Sequence, residues 1–579
     1  MRIPDPSSPP TTKQNNMTAP FQWIVFVASL FLLATGFNAS AETQPNIVLI
    51  MVDDMGFSDI GCYGGEIETP NIDALAAGGV RFSHFYNNSR CCPTRATLLT
   101  GLYAHQTGIG RMTGVSSDMG VPAYRGALNR QCVTIAEALK PAGYATMMTG
   151  KWHLGSRDSS YWPVQRGFDR FFGSLKGSRF FHPKKPKPVM SMNEVVENPE
   201  STTDRPFYTT DAFTDHAIDF VQESLEKDRS KPFFLYLAYT APHWPLQAHE
   251  EDIDKYRDRY SMGWDKLREQ RYQRQIELGL IDPSWKLSPR DPRVPAWDSL
   301  DASQQKLQSL RMAVYAAMVD CVDQNIGKLN DSLQELGVRD NTLVMFLSDN
   351  GACQEGPMLG NQAFADPEKR NQVSGGGSNY GRPWANVSST PFRYFKHHTY
   401  EGGAATPFIA NWPVKIKPQT DWYSSNAHIV DLMPTILDVA GAEYPAEAHG
   451  NKIPSLPGVS LLPALGGKPL DRTTPIVNEH WDNGLLIDGD WKLVGEGVAV
   501  NDGPKEELWE LYNLKEDRTE LNDLSESDPE RVKAMAATWK FWSMKVGVFP
   551  KPQRPAKEKP KTPKRRRAKQ GPSETPISK

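Results

Sequence analysis

Cysteine is scarce in this chain, six in 579 residues, and no two of the six stand in a CxxC spacing. That scatter offers neither a zinc site nor a disulfide framework, although it leaves room for one disulfide. Charge of one sign is lacking too: 65 Lys and Arg stand against 68 Asp and Glu, a formal net charge of -3. Such a balance supplies no electrostatic reason to bind nucleic acid. Long apolar runs are absent apart from residues 21–35 (FQWIVFVASLFLLAT), which are too short for a comfortable membrane span. No internal repeat of useful period is visible. What is present is a hydrophobic content of 39% with 10% aromatics, which suits a globular enzyme. The length exceeds one ordinary core and implies a large domain with a smaller one.

The two ends differ from the middle. The apolar run and the Ala39-Ser40-Ala41 that follows it read as a signal peptide over residues 1–41, hence export to the periplasm or beyond. An uncleaved anchor is the competing reading. Residues 549–579 are rich in Lys, Arg and Pro, include Lys564-Arg565-Arg566-Arg567, and lack apolar groups to bury, so a disordered basic tail is expected.

Between them strands and helices alternate. Residues 46–52 (NIVLIMV), 232–238 (PFFLYLA) and 342–347 (TLVMFL) are apolar throughout, as strands buried on both faces of a parallel sheet are. Residues 145–149 form a shorter strand. Helical spacing covers 71–77, 134–139, 213–225 and 310–336. The expected fold is α/β, with a large, mostly parallel sheet sandwiched by helices over residues 42–470. Past about residue 470 short strands parted by turns, then a helix from 529 to 544, predict a smaller α+β domain with an antiparallel sheet over 471–548.

In an open parallel sheet, ligand groups gather beyond the carboxyl ends of the strands. The first core strand is followed by Asp53-Asp54, the third by Asp349-Asn350, residues 145–149 by Lys151 and His153, and the second by His243. Asp53, Asp54, Asp349 and Asn350 are hard oxygen ligands, which suit Ca²⁺ or Mg²⁺ and disfavour zinc. Three crowded carboxylates also repel one another unless a cation sits among them. Lys151, His153, His243, Arg95 and Lys396 are cationic or proton-carrying, and suit an anionic substrate with a poor leaving group. A tetrahedral oxyanion, sulfate or phosphate, fits both sets. His397, His398, His449 and His480 belong to no motif and are expected at the surface or satisfied in the core. The stretch 244–300, with Trp264, Trp285 and Trp297, is expected as a rim above the pocket, with Trp384 in another wall.

Residues 91–101 read CCPTRATLLTG and match the pattern C-x-P-[ST]-R-x(4)-TG. With NIVLIMVDDMGFSD, TGKWHLG, the APH that ends at His243, LSDNG and FKHHTYEGG, they make the chain resemble the sulfatases of the alkaline-phosphatase-like superfamily. The arylsulfatase-like branch is the nearest match. Only Cys91 fits the register, because Cys92 lies one residue before Pro93 rather than two. Thr94 stands in place of the commoner Ser and keeps a hydroxyl.

The resemblance implies that Cys91 is oxidised to formylglycine by a formylglycine-generating enzyme, and that the aldehyde hydrate is the nucleophile. It implies that Asp53, Asp54, Asp349, Asn350 and the modified Cys91 bind the metal, Ca²⁺ with Mg²⁺ as the alternative. Arg95 would help to ionise the attacking hydroxyl. Lys151, Lys396 and His243 would bind the sulfate ester, His243 would protonate the leaving alcohol, and His153 would act as base on the remaining hydroxyl. The implied reaction is hydrolysis of aryl sulfates or sulfated carbohydrates to inorganic sulfate, with no nucleic-acid partner and no stable membrane span. Two other readings stand beside it: a phosphomonoester or phosphonate hydrolase on the same scaffold, and a non-catalytic sulfoglycan-binding protein in which Cys91 stays a thiol. On the favoured register, Cys91→Ala abolishes turnover with folding intact while Cys92→Ala keeps most of it. Sulfate release and circular dichroism on both variants check this; equal losses would refute the register.

Overall fold

Apolar side chains that alternate along a strand must be covered on two sides, and here they are. In the computed structural model the first core segment is strand β1 (Asn46–Asp53), buried along its whole length. Val48, Ile50 and Val52 enter one apolar cluster, whereas Ile47, Leu49 and Met51 enter another on the opposite face. The structure describes residues 44–176, 189–196, 200–201, 204–360, 362–366, 378–500 and 503–551. The expected signal segment lies outside the described residues, as does the basic segment from 552 onward. Of that segment's first residues, Phe549 is buried and Lys551 pairs with Glu479 at 2.8 Å.

After β1 come helix α1 (Pro70–Ala77), edge strand β2 (Val80–Phe82), α2 (Cys91–Thr100), α3 (Ile135–Leu139) and β3 (Ala145–Lys151). They are followed by β4 (Arg170–Ser174), β5 (Val189–Ser191), β6 (Glu194–Val196), α4 (Thr209–Lys227), β7 (Phe233–Pro242), α5 (Ala302–Glu335), β8 (Thr342–Ser348), β9 (Phe408–Asn411) and α6 (Leu432–Ala440). The nine strands form one sheet in the order β2-β9-β8-β1-β7-β3-β4-β5-β6. Its middle, β8-β1-β7-β3-β4, is parallel, and β9, β2, β5 and β6 add antiparallel edges. Residues of α4 and α5 line one apolar cluster, and those of α2, α3 and α6 the other.

The smaller antiparallel sheet is β10 (Ile476–His480), β11 (Asn483–Asp488), β12 (Trp491–Gly495) and β13 (Glu510–Asn513), in that order. Helix α7 (Pro529–Val546) closes over it through buried Trp539, whose indole donates to the Asn478 carbonyl at 3.0 Å.

The differences from expectation are local. Helix α5 begins at Ala302, well before the apolar spacing starts, because Asp301 and Gln304 form a reciprocal capping box (2.8 and 3.1 Å) ahead of polar first turns. The edge strands are too short to carry a two-residue period. Residues 244–300 contain the helix Gly263–Glu277. Trp264, Trp285, Trp297 and Trp384 are buried, and Trp264 packs edge-on against Trp297 (4.7 Å) and Trp384 (5.6 Å). These rings therefore build core rather than an open rim, because together they remove more apolar surface from water than they would one by one. All six cysteines are free thiols. Among the described residues no helix is long and apolar enough to cross a membrane.

Candidate active site

Four neighbouring strands, β8, β1, β7 and β3, end side by side, and the predicted groups sit at those ends. Strand β1 finishes at Asp53, and Asp54 leaves it with a left-handed φ of 69°, uncommon for a residue with a side chain. That turn stacks both carboxylates over the strand end. Asp349 and Asn350 follow β8, and the Asp54 amide donates to Asp349 Oδ1 at 3.2 Å. Lys151 closes β3, preceded by Gly150 at φ 103°, where a Cβ would meet the Ala238 carbonyl of β7 at 1.9 Å. His153 (φ 58°) and His243 come just after β3 and β7.

Cys91 opens α2 and is 2% exposed, and Arg95 lies one turn further in. Lys396 arrives on a loop between the last two strands of the sheet. Its backbone donates to the Ala352 carbonyl (3.0 Å), and its own carbonyl accepts from Gln354 (3.0 Å).

All ten predicted residues meet here. Lys151 Nζ donates to Asp53 Oδ2 at 2.5 Å. Arg95 grips Asp349 Oδ2 through Nε (3.0 Å) and Nη2 (2.8 Å), and Nη1 donates to the Lys151 carbonyl at 3.0 Å. Asp54 receives Lys396 Nζ at 2.7 and 2.8 Å, Asn350 Nδ2 at 2.7 Å and, as an ion pair, His243 Nε2 at 3.3 Å. Against their burial, Lys151, His243 and Arg95 hold Asp53 well below the carboxylate range, and His243 and Lys396 lower Asp54. Asp349 moves the other way: burial, with the neighbouring charge of Asp53, outweighs Arg95 and pushes it well up. Hydrogen bonding with the Cys92 thiol, then Lys151 and His153, pull the Cys91 thiol well down despite burial. Burial and Lys151 lower His153, which favours the neutral imidazole.

The oxygen donors fit a hard cation. Asp53 Oδ1 and Asn350 Oδ1 are buried with no hydrogen-bond partner, so two oxygens are desolvated without a donor to satisfy them. Ligand atoms of Asp53, Asp54 and His243 lie within 4.8 Å of one another. Lys151, Lys396 and His243 now lie against the same carboxylates, and cation binding would redistribute those pairs.

Glu355 joins these groups without a motif of its own in the sequence. Its Oε1 accepts from Arg90 (2.7 Å) and His397 (3.1 Å), and its Oε2 accepts from Lys396 (3.3 Å) and Trp244 (3.2 Å). Against burial, Lys396 and Arg90 pull this carboxyl down to about 2. Arg90, Trp244 and His397 each neighbour a predicted residue in sequence, which was the one available signal. His397 is thus satisfied by Glu355, beside the predicted groups. His480 is buried, while His398 pairs with Glu496 and His449 with Glu137. A cleft of about 1080 Å³ beside Trp422 and Asp488 shares no residue with this site.

The family model described as Sulfatase matches residues 45–442. An uncharacterized sulfatase of Schizosaccharomyces pombe is 35% identical over 89% of this chain and 96% of its own length. The arylsulfatase of Klebsiella aerogenes is 35% identical, covering 74% and 94%. Human N-acetylgalactosamine-6-sulfatase is 31% identical, covering 84% and 80%. Among solved structures, Ps i-CgsB in complex with k-i-k-neocarrahexaose superposes with a TM-score of 0.63 at 26% identity, covering 88% of this chain and 94% of that one.

The cation fit has a readout independent of turnover. Ca²⁺ added to chelator-treated protein raises the midpoint of thermal unfolding, because a ligand at a hundred times its Kd adds about 2.7 kcal/mol to stability. Asp349→Asn is expected to lose most of that rise in differential scanning fluorimetry. An equal rise in both proteins would place the cation elsewhere.

Proposed function

The chain belongs to the sulfatase family and is a sulfuric ester hydrolase, and from that premise we propose that it cleaves aryl sulfates or sulfated carbohydrates with a nucleophile made from Cys91. The observation that carries the reading is the convergence of Cys91, at the start of α2, with the oxygen donors Asp53, Asp54, Asp349 and Asn350 and the buried ammonium groups of Lys151 and Lys396. A formylglycine-generating enzyme would convert Cys91 during maturation. Residues 42–470 would then hold the reaction, and an exported enzyme would meet its substrate in the periplasm or outside the cell. A glycan substrate agrees with a relative named N-acetylgalactosamine-6-sulfatase and with a neighbour solved in complex with k-i-k-neocarrahexaose.

A Ca²⁺ ion held by Asp53, Asp54, Asp349 and Asn350 would favour ionisation of the formylglycine hydrate and draw charge from a sulfate oxygen. The protein's own groups do the rest. Lys151 and Lys396 face the sulfate oxygens and offset the charge that grows as the sulfur–oxygen bond to the alcohol breaks. Arg95, locked on Asp349 and the Lys151 carbonyl, keeps those two groups in register. His243 Nε2 gives its proton to the departing alcohol oxygen. His153, neutral and beside Cys91, takes a proton from the side chain at position 91 so that sulfate can leave.

Matched aryl esters separate the sulfate reading from a phosphate one: release of sulfate from 4-nitrophenyl sulfate should exceed release of phosphate from 4-nitrophenyl phosphate at least tenfold. Dominant phosphate release would overturn the proposal. The role of His243 shows in the leaving group. His243→Ala should lower kcat about a hundredfold on an alkyl or sugar sulfate, and far less on 4-nitrophenyl sulfate, whose phenolate departs without a proton. Equal losses on both would remove His243 as the acid.

A further inference from the structure

Beside this site stands an aromatic side chain that the chemistry above does not use. Trp481 comes from the smaller sheet, in the turn between β10 and β11, yet it lies on the catalytic side. The Arg90 guanidinium sits 5.0 Å from its ring centroid, and the His397 ring meets it edge-on at 4.5 Å. Arg90 directly precedes Cys91, and His397 directly follows Lys396. The indole is therefore fixed beside the two segments that bring in the nucleophile and a sulfate-facing lysine. Even so, 36% of it remains exposed.

The turn is built to hold the ring there. Trp481 and Asp482 both have left-handed backbones, φ 52° and 74°. Asn, Asp or Gly suits such a turn, and a bulky side chain strains it. Buried Glu479 takes the Asp482 amide (2.9 Å) and His105 (2.8 Å). Lys551 ties Glu479 to Asp482, and Asn483 Nδ2 donates to the His397 carbonyl at 3.0 Å. His480 stacks on the indole at 5.2 Å, over which Arg90 also lies. A second indole, Trp244, stands at the same carboxylate, its nitrogen on Glu355 and its ring 5.0 Å from that of His243.

We propose that Trp481 is a specificity-determining wall, whose exposed indole surface packs against the ring of the leaving group, aryl or pyranose, while its sulfate is held at Lys151 and Lys396. The inference rests on the sulfatase reading and adds the ring subsite to it. A flat apolar face suits either an aryl ring or the C–H face of a sugar, and a flexible alkyl chain gains less from it. Glu355 already accepts from five donors, the Cys353 thiol included, so it holds Arg90 and Trp244 in position and has little capacity left for a substrate hydroxyl.

The test compares wild type, Trp481→Ala and Trp481→Phe on 4-nitrophenyl sulfate, a 6-sulfated hexosamine and n-hexyl sulfate. Trp481→Ala should raise KM for the ring substrates about fivefold, with kcat and the n-hexyl sulfate constants within about twofold. Trp481→Phe should recover most of the loss. A rise confined to one ring substrate supports the wall and tells which ring it takes. An unchanged KM, or equal shifts on all three substrates, overturns the wall while the sulfatase reading stands. Failure of wild type to release sulfate from any of them defeats that reading, and the wall with it.

Discussion

Three carboxylates shut away from water share the ends of adjacent strands, and most of the surrounding architecture serves to offset their charge. Two like charges about 4 Å apart repel by roughly 4 kcal/mol at an effective dielectric near 20. Burial adds a desolvation cost for each. Lys151 answers Asp53, Lys396 with His243 answers Asp54, and Arg95 answers Asp349. The balance stays incomplete, since Asp349 is still pushed toward its neutral form and two oxygens lack donors. A hard divalent cation would complete it, and the same positive groups would suit an anionic sulfate ester.

The loop that carries Lys396 depends on the smaller sheet. Glu401 accepts from Lys492 of β12 (2.8 Å) and from Arg518 (2.9 Å), and Lys492 also reaches Glu520 (2.7 Å), all four fully buried. Arg393 pairs with Glu510 of β13 at 2.6 Å. Such a network adds little net stability relative to an apolar one, but removing a single partner leaves an unpaired buried charge. It therefore defines where the second sheet docks. That placement is what lets a turn between β10 and β11 bring Trp481 beside a site made elsewhere.

Legibility followed chemistry and period. The core strands could be read because burial on both faces leaves an uninterrupted apolar run, and the residues after each run could be read because parallel sheets gather ligands at one edge. Glu355 escaped because its neighbours in the sequence carry no pattern, and four of its five donors come from three distant segments. The tryptophans of residues 244–300 misled for a related reason: an aromatic ring that stacks on a ligand and one that packs in a core are the same residue, and only the neighbours differ.

The order of residues along the chain thus determined the parallel core, the edge at which polar groups gather, and the ten groups that converge there. Each of these depends on contacts along one strand, on residue type at a strand end or, for Cys91, Arg95 and Lys396, on a short motif, and a linear pattern records all three. Tertiary structure alone decided which carboxylate would hold Arg90, Trp244, Lys396 and His397 together, and that an indole from the second sheet would stand beside them. Those outcomes depend on charge pairing and packing between segments far apart in the chain, and such pairing exists only once the two sheets have docked.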